Sequence, residues 1–312
     1  PPGVRTGGGV TPYQKARRQV RDILCGAGWS EAWTTTFLAP GDLERAGLPG
    51  NAVEVENPLD RSESLLRTAL LPGLLKAVRF NVDRQEPDVQ LFEIGHVFGR
   101  PDPSGEQVPK EHEDLAAIVA GSGVDALLAA RLWEVLAEVL RLDDAKLEAE
   151  SVAGFHPTRS ARILLGGKDV GAVGEVDPGV IAAYGLAGRI GYFTVSLEAV
   201  LAASRRSDQA VPISRFPASD IDLAFVVRDD VPAAAVEETL RRAGGELVER
   251  TRLFDVYRGP QLGSQVGEGR RSLAYHIRLR ALDRTLTDAE VASVRARMIA
   301  AVAAAHGGQL RG

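Results

Sequence analysis

Between Asn57 and Phe98 the sequence passes from a helical period to a strand period, and this passage restricts the fold more than any other stretch. Asn57-Pro58 interrupts whatever precedes it, because proline lacks an amide donor and constrains the residue before it. Leu70, Leu71, Leu74, Leu75 and Val78 then recur at the spacing of one helix face, with Pro72 near the start, where a helix tolerates it. From Asp88 to Phe98 the period becomes two. Val89, Leu91, Glu93 and Gly95 alternate with Phe92, Ile94, His96 and Phe98. Apolar residues occupy both sets, so this strand is expected inside a sheet covered on both faces.

A chain of 312 residues is long enough for two domains, and its ordinary apolar content of 45% supplies their cores. No apolar run approaches the roughly 20 residues a bilayer span requires, and no basic-then-apolar leader opens the sequence. Cys25 is alone, which excludes an internal disulfide, and the dispersed histidines offer no zinc spacing. A cytoplasmic protein that holds no metal is expected. The net charge of −5 is not the global footprint of a nucleic-acid binder. Past position 211, however, arginine supplies all positive charge. That is either a codon preference or a surface for planar, bidentate contacts.

Taken in order, residues 1–12 are rich in glycine and proline and read as a linker that starts midway along a longer polypeptide. Thr11 and Pro12 open a helix from Tyr13 to Gly26, with Ala16, Val20, Ile23 and Leu24 on one face and Arg17, Arg18 and Arg21 on the other. Ala32 to Leu38, with its Trp, Thr and Phe, favours a strand. Residues 101–109 read as a polar hairpin loop and Glu113 to Ala120 as a strand. Asp125 to Leu140 reads as an amphipathic helix whose inner face is Leu128, Leu132, Val135, Leu136 and Val139. Strands are expected at 161–165, 169–176 and 190–196, and a short helix at 198–203. This first domain, 13–203, is joined by a linker at 204–213 to a second, 214–312.

The second domain orders its elements strand, helix, strand, strand, helix, strand, the split ferredoxin-like motif of an α+β fold. Alternation turns Ile221, Leu223, Phe225, Val227, Phe254, Val256, Leu273, Tyr275, Ile277 and Leu279 toward the helices. The opposite face collects Asp222, Ala224, Val226, Asp255, Tyr257, Ser272, Ala274, His276, Arg278 and Arg280. Small, polar, aromatic and basic residues together suit an unpaired RNA base: Tyr257 to stack on it, Asp255 and Ser272 to hydrogen-bond it, and Ala224 to let it approach. Arg258, Arg278, Arg280 and Arg284 are candidates for its phosphates. The alternative is an ordinary solvated sheet face.

The run LLRTALLPGLL followed by LFEIGHVF, with Phe155-His156-Pro157 and Gly174-Glu175-Val176-Asp177-Pro178, resembles the β subunit of bacterial phenylalanyl-tRNA synthetase. Asp177 stands where that family commonly has histidine. Phe216-Pro217, the run Phe254 to Gly259, Ser272-Leu273-Ala274-Tyr275 and the run Asp283 to Asp288 resemble the ferredoxin-fold anticodon-binding domain of the same subunit. The resemblance implies a degenerate class II synthetase sheet in the first domain and recognition of the anticodon of tRNA(Phe), beginning with its guanine, by the second. It also implies assembly with a catalytic α subunit, two α with two β.

The helix from Tyr13 and the strand from Ala32 would supply the interface with α, and Trp29 and Trp33 would be its anchors unless they fill the core. Class II catalysis needs cationic side chains around the nucleotide phosphates. The strand 91–96 lacks the family's arginine, and Gly185 to Arg189 is the one lookalike of the second arginine motif, without the helix that should follow. Arg67 and Arg189 are therefore expected to be structural, His156 to be a hydrogen-bonded loop residue, and ATP and magnesium to belong to the full enzyme with α. No GxSxG, HExxH, P-loop or paired-carboxylate pattern supports another chemistry. A free-standing RNA-binding or scaffold protein is the alternative. An independent ligase is a third reading, which would require ATP–pyrophosphate exchange by this chain.

Overall fold

The computed structural model describes residues 9–100, 108–203, 205–206, 214–257 and 269–311. The chain divides into two units, Pro1–Ser207 and Asp208–Gly312.

The first unit is built on a seven-stranded sheet in the order β1-β4-β5-β9-β8-β7-β6. Its elements are α1 (Pro12–Gly26), β1 (Ser30–Glu31), β2 (Phe37–Leu38), α2 (Asp42–Arg45), β3 (Leu65–Leu66), α3 (Leu71–Val82), β4 (Val89–Gly99) and β5 (Lys110–Ala120). There follow α4 (Ala126–Val139), β6 (Ala145–Ala149), β7 (Phe155–Leu165), β8 (Lys168–Val176), α5 (Pro178–Ala183), β9 (Ile190–Ser196) and α6 (Leu197–Ala202). β1 joins β4 in parallel, and every other pairing in the sheet is antiparallel. β4 has the two covered faces its alternation predicts. Phe92 and Ile94 enter a core with Val20 and Leu24 of α1 and Leu132, Trp133 and Leu136 of α4. Val89 and Val97 enter the opposite core with Leu71, Leu74, Leu75 and Val78 of α3.

Local chemistry fixes the helix starts. Thr11 accepts from the Gln14 amide while the Gln14 side chain returns to the Thr11 amide, a reciprocal cap that satisfies two otherwise unpaired donors of α1. Asp177 accepts from the amides of Gly179 and Val180 and so starts α5, a helix with no apolar period to announce it.

Two expectations are corrected here. Residues 32–38 are not one strand: β1 and β2 are separate dipeptides, and the amides and carbonyls between them pair elsewhere. The Ala32 amide donates to Phe92, while the Thr36 and Thr34 carbonyls accept from the Arg67 backbone and side chain. The inner face of α4 is turned from the expected stripe. Val135 and Val139 are exposed, whereas Ala129, Trp133 and Ala137 are buried with Leu132 and Leu136. The small Ala129 lets the helix sit down on Gly191 of β9, where an added methyl would meet it. Beyond these, 145–149 forms the edge strand β6: Ala145, Leu147 and Ala149 alternate with Lys146 and Glu148, yet all five residues are exposed.

The second unit contains β10 (Ser219–Arg228), α7 (Ala233–Gly244), a 3-10 turn (Gly245–Leu247), β11 (Val248–Tyr257), β12 (Arg270–Leu279), α8 (Asp288–His306) and β13 (Gln309–Leu310). The sheet order is β11-β12-β10-β13. Its core joins Leu223, Phe225 and Val227 of β10 with Leu273, Tyr275, Ile277 and Leu279 of β12, under Val236 and Leu240 of α7 and Val294, Met298 and Val302 of α8.

Candidate functional site

In an antiparallel ladder, directly opposed residues share a face. The register of the second unit therefore defines its outer surface row by row. Tyr257 lies opposite Ser272, which lies opposite Val226; Asp255 lies opposite Ala274, which lies opposite Ala224. The sequence-predicted base-reading residues are thus neighbours at one end of the face. Asp255 is exposed and Tyr257 half-buried, and among the described residues neither side chain has a hydrogen-bonding or ionic partner. Ser272 is on this face but buried, which makes it a floor beneath the site.

Phe254 does not point inward as expected. The ladder shifts between Leu253 and Asp255, so Leu253 opposes Tyr275 and packs on the core, while Phe254 is the extra residue of a bulge and is 53% exposed. Arg258 lies outside the described residues, as does most of the loop expected at 101–109.

The next rows hold the basic residues expected at the site from the sequence, and these are engaged. His276 Nδ1 is 2.7 Å from Asp222 Oδ1. Arg278 donates two hydrogen bonds to Asp220, at 2.8 and 2.9 Å, and holds that carboxyl below its ordinary range. Arg280 Nε lies 3.2 Å from Glu249, and Arg284 is bound by Glu290 and Asp283.

The arginines of the first unit weighed for a phosphate role are also matched internally. Arg67 and Glu93 are both buried and pair at 2.7 Å. Arg159 and Arg189 converge on the buried carboxylate of Glu175, at 3.1 and 3.9 Å. His156 is hydrogen-bonded as expected, 2.6 Å from Arg159 Nη2, but it belongs to β7 and not to a loop. A pocket of about 260 Å³ on the α3 side of the sheet is walled by Leu48, Leu71, Val152, Phe155 and Tyr192. Arg162 at its margin is paired with Glu150 and Asp169. No group of three His, Cys, Asp or Glu residues is placed to hold a metal among the described residues.

The two tryptophans separate. Trp29 is 7% exposed and packs in the core between α1 and the sheet, so it is not a surface anchor. Trp33, in the segment freed from the ladder, is 85% exposed. Near α1, Glu113 binds Arg17 at 3.0 Å and also accepts from the Tyr13 hydroxyl.

The neighbouring Asp114 is raised to about 6, chiefly by burial and slightly by Glu198, against the opposing pull of His112 and Arg67. A carboxyl raised in the folded state contributes stability below its unfolded value, and that contribution is lost as pH rises through about 6. Asp114→Asn is therefore expected to be more stable than the parent by about 3 kcal/mol at pH 8 and by roughly half that at pH 5. Urea unfolding followed by tryptophan fluorescence reads this directly, because Trp29, Trp33 and Trp133 all belong to the first unit. A difference that does not change with pH would refute it.

Among the described residues no helix is long and apolar enough to cross a membrane. The family profile of the phenylalanyl tRNA synthetase beta chain CLM domain matches residues 1–197, and that of the ferredoxin-fold anticodon binding domain matches residues 214–311. The phenylalanine–tRNA ligase beta subunit of Geobacillus kaustophilus is 37% identical over 320 residues, covering 98% of this chain and 39% of the relative. That of Thermobifida fusca is 36% identical over 355 residues, covering 100% and 42%. The chain thus spans about two fifths of the length of the curated relatives it matches. A solved pyrrolysyl-tRNA synthetase from Desulfitobacterium hafniense superposes with a TM-score of 0.51 at 15% identity, over 61% of this chain and 68% of that one. That likeness concerns the fold alone, and it is the class II synthetase fold.

Proposed function

The chain belongs to the phenylalanyl-tRNA synthetase β-chain family, and from that membership we propose that it supports the catalytic α subunit of a phenylalanine–tRNA ligase and binds the anticodon region of tRNA(Phe). The observation that carries the RNA half is the pairing of an exposed, unengaged Asp255 with Tyr257 on the helix-free face of the second sheet. Tyr257 offers a stacking surface and Asp255 accepts from the donors of a guanine's Watson–Crick edge. The test is binding of RNA hairpins that differ only at the first anticodon base. Guanine is expected to bind best.

The assembly half rests on the first unit. The class II sheet is retained, but its residues do not fit a nucleotide triphosphate: Arg67, Arg159 and Arg189 face Glu93 and Glu175, so no unpaired cation among them is left for a phosphate chain. ATP and magnesium chemistry then falls to the α subunit, in a full enzyme of two α and two β subunits in the cytoplasm. Trp33 is the anchor for α on this reading, because a tryptophan so exposed contributes little to its own chain and much to an interface centre. Trp33→Ala is expected to weaken co-purification with α by about 2 kcal/mol or more, a factor of about 30. The urea midpoint of the chain should not move. Undiminished co-purification would remove Trp33 from the interface.

A further inference from the structure

The outer face of the second sheet has an uneven charge, and the unevenness gives a direction to anything polyanionic laid across it. At one end of β10 the exposed groups are Asp220 and Asp222; at the other, Arg228 is exposed and pairs with Asp230 at 2.9 Å. On the adjacent β12, His276 and Arg278 point the same way and are held by those two carboxylates. On the edge strand β11, Arg252 lies opposite His276 and Arg250 opposite Arg278. Both arginines are exposed, and among the described residues neither has a partner. In these two rows the unmatched cationic charge therefore lies on the β11 edge and the anionic charge on β10, while one further exposed arginine, Arg270 of β12, lies one row beyond Ser272, opposite Arg228.

We propose that Arg250 and Arg252 carry the phosphate backbone of the RNA whose base is read beside Tyr257, and that Arg278 and Arg280 do not. This inference rests on the reading of the face as an RNA-binding surface. Two physical points support it. Arg278 must break a bidentate pair with Asp220 to take a phosphate, and Arg280 an ion pair with Glu249, whereas Arg250 and Arg252 have only water to exchange. Alternate residues of a strand lie about 7 Å apart on one face, a step comparable to that between neighbouring phosphates of an extended strand. From Arg250 to Tyr257 the edge runs roughly 20 Å, so the RNA would enter over the arginines, pass the bulge at Phe254 and place its base at the Asp255–Tyr257 end. The carboxylates of β10 would keep the strand from crossing the sheet.

The test is the salt dependence of binding between the full 312-residue chain and a short RNA hairpin carrying the phenylalanine anticodon loop. For the double variant Arg250→Gln/Arg252→Gln, the slope of log K against log salt is expected to fall in magnitude by about 1.4, or 0.7 per phosphate contact on a single strand. The loss of affinity should be the same for every base at the read position. Arg278→Gln should leave the slope unchanged. All three side chains are solvent-exposed, so the variants should fold, and an unchanged circular-dichroism melt verifies it. If Tyr257→Ala weakens binding while the double variant keeps the parental slope, or if Arg278→Gln lowers it instead, the backbone assignment is overturned and the RNA surface stands. If neither Tyr257→Ala nor the double variant alters binding, the surface itself is misassigned and the inference falls with it.

Discussion

Arg67→Met is expected to destabilise the first unit by about 3–5 kcal/mol, the cost of leaving one member of a buried ion pair without the other. Arg67 and Glu93 are 4% and 3% exposed. The guanidinium does more than neutralise the carboxylate at 2.7 Å. Its Nε donates to the His96 carbonyl at 2.7 Å, and its Nη1 donates to the Thr34 hydroxyl at 3.1 Å and the Thr34 carbonyl at 3.3 Å. The Thr34 hydroxyl in turn donates to Glu93 at 2.6 Å. One side chain thus ties the irregular segment 32–36 to β4, the strand with cores on both faces. Gly95 permits it, because a methyl there would run into the guanidinium. With Arg67 gone, Glu93 stays buried with Thr34 as its one donor, and the carbonyls of Thr34 and His96 lose theirs.

The measurement is urea unfolding followed by tryptophan fluorescence. The double variant Arg67→Met/Glu93→Leu separates the two sources of loss. It has no buried charge and should be more stable than Arg67→Met alone, as expected when the penalty is an orphaned carboxylate and not missing packing. A single variant within about 1 kcal/mol of the parent would remove the structural role assigned to the ion pair.

The parts of this architecture legible in the sequence are those where one strand or helix carries the whole signal. Leu70 to Val78 declare α3 by spacing alone, and β4 declares two covered faces because both of its alternate sets are apolar. What stays hidden depends on a second element. The bulge at Phe254 moves the phase of β11 by one residue, and only the pairing with β12 reveals it. Arg278 and His276 of β12 look available until β10 is laid beside them and supplies Asp220 and Asp222 at the right rows. Arg250 and Arg252 escape notice for the converse reason, since nothing in their own strand distinguishes them from paired neighbours. Trp29 and Trp33 have the same composition and nearly the same place in the chain, but the first falls under α1 and the second in a segment that leaves the ladder.

Asp255→Ala is expected to lower guanine binding to the level of adenine and so abolish the preference for guanine at the first anticodon position, and Tyr257→Ala to weaken both while keeping the preference. The two residues act on different properties of one base. A carboxylate accepting two donors makes charge-assisted hydrogen bonds of about 1.5–3 kcal/mol each, and adenine presents no such pair of donors to it. Guanine over adenine should therefore be favoured at least tenfold in the parent chain, about 1.4 kcal/mol or more, and by a factor near one in Asp255→Ala. Stacking, at roughly 1–3 kcal/mol per base, does not distinguish purines. Tyr257→Ala should thus weaken guanine and adenine hairpins alike, by about five- to 150-fold. Tyr257→Phe should restore the loss, because the ring and not the hydroxyl stacks. Both residues lie on the outer face at an edge strand, so fold stability is not at stake. Equal binding of all hairpins by the parent chain, or retained guanine preference in Asp255→Ala, would place the anticodon contact elsewhere.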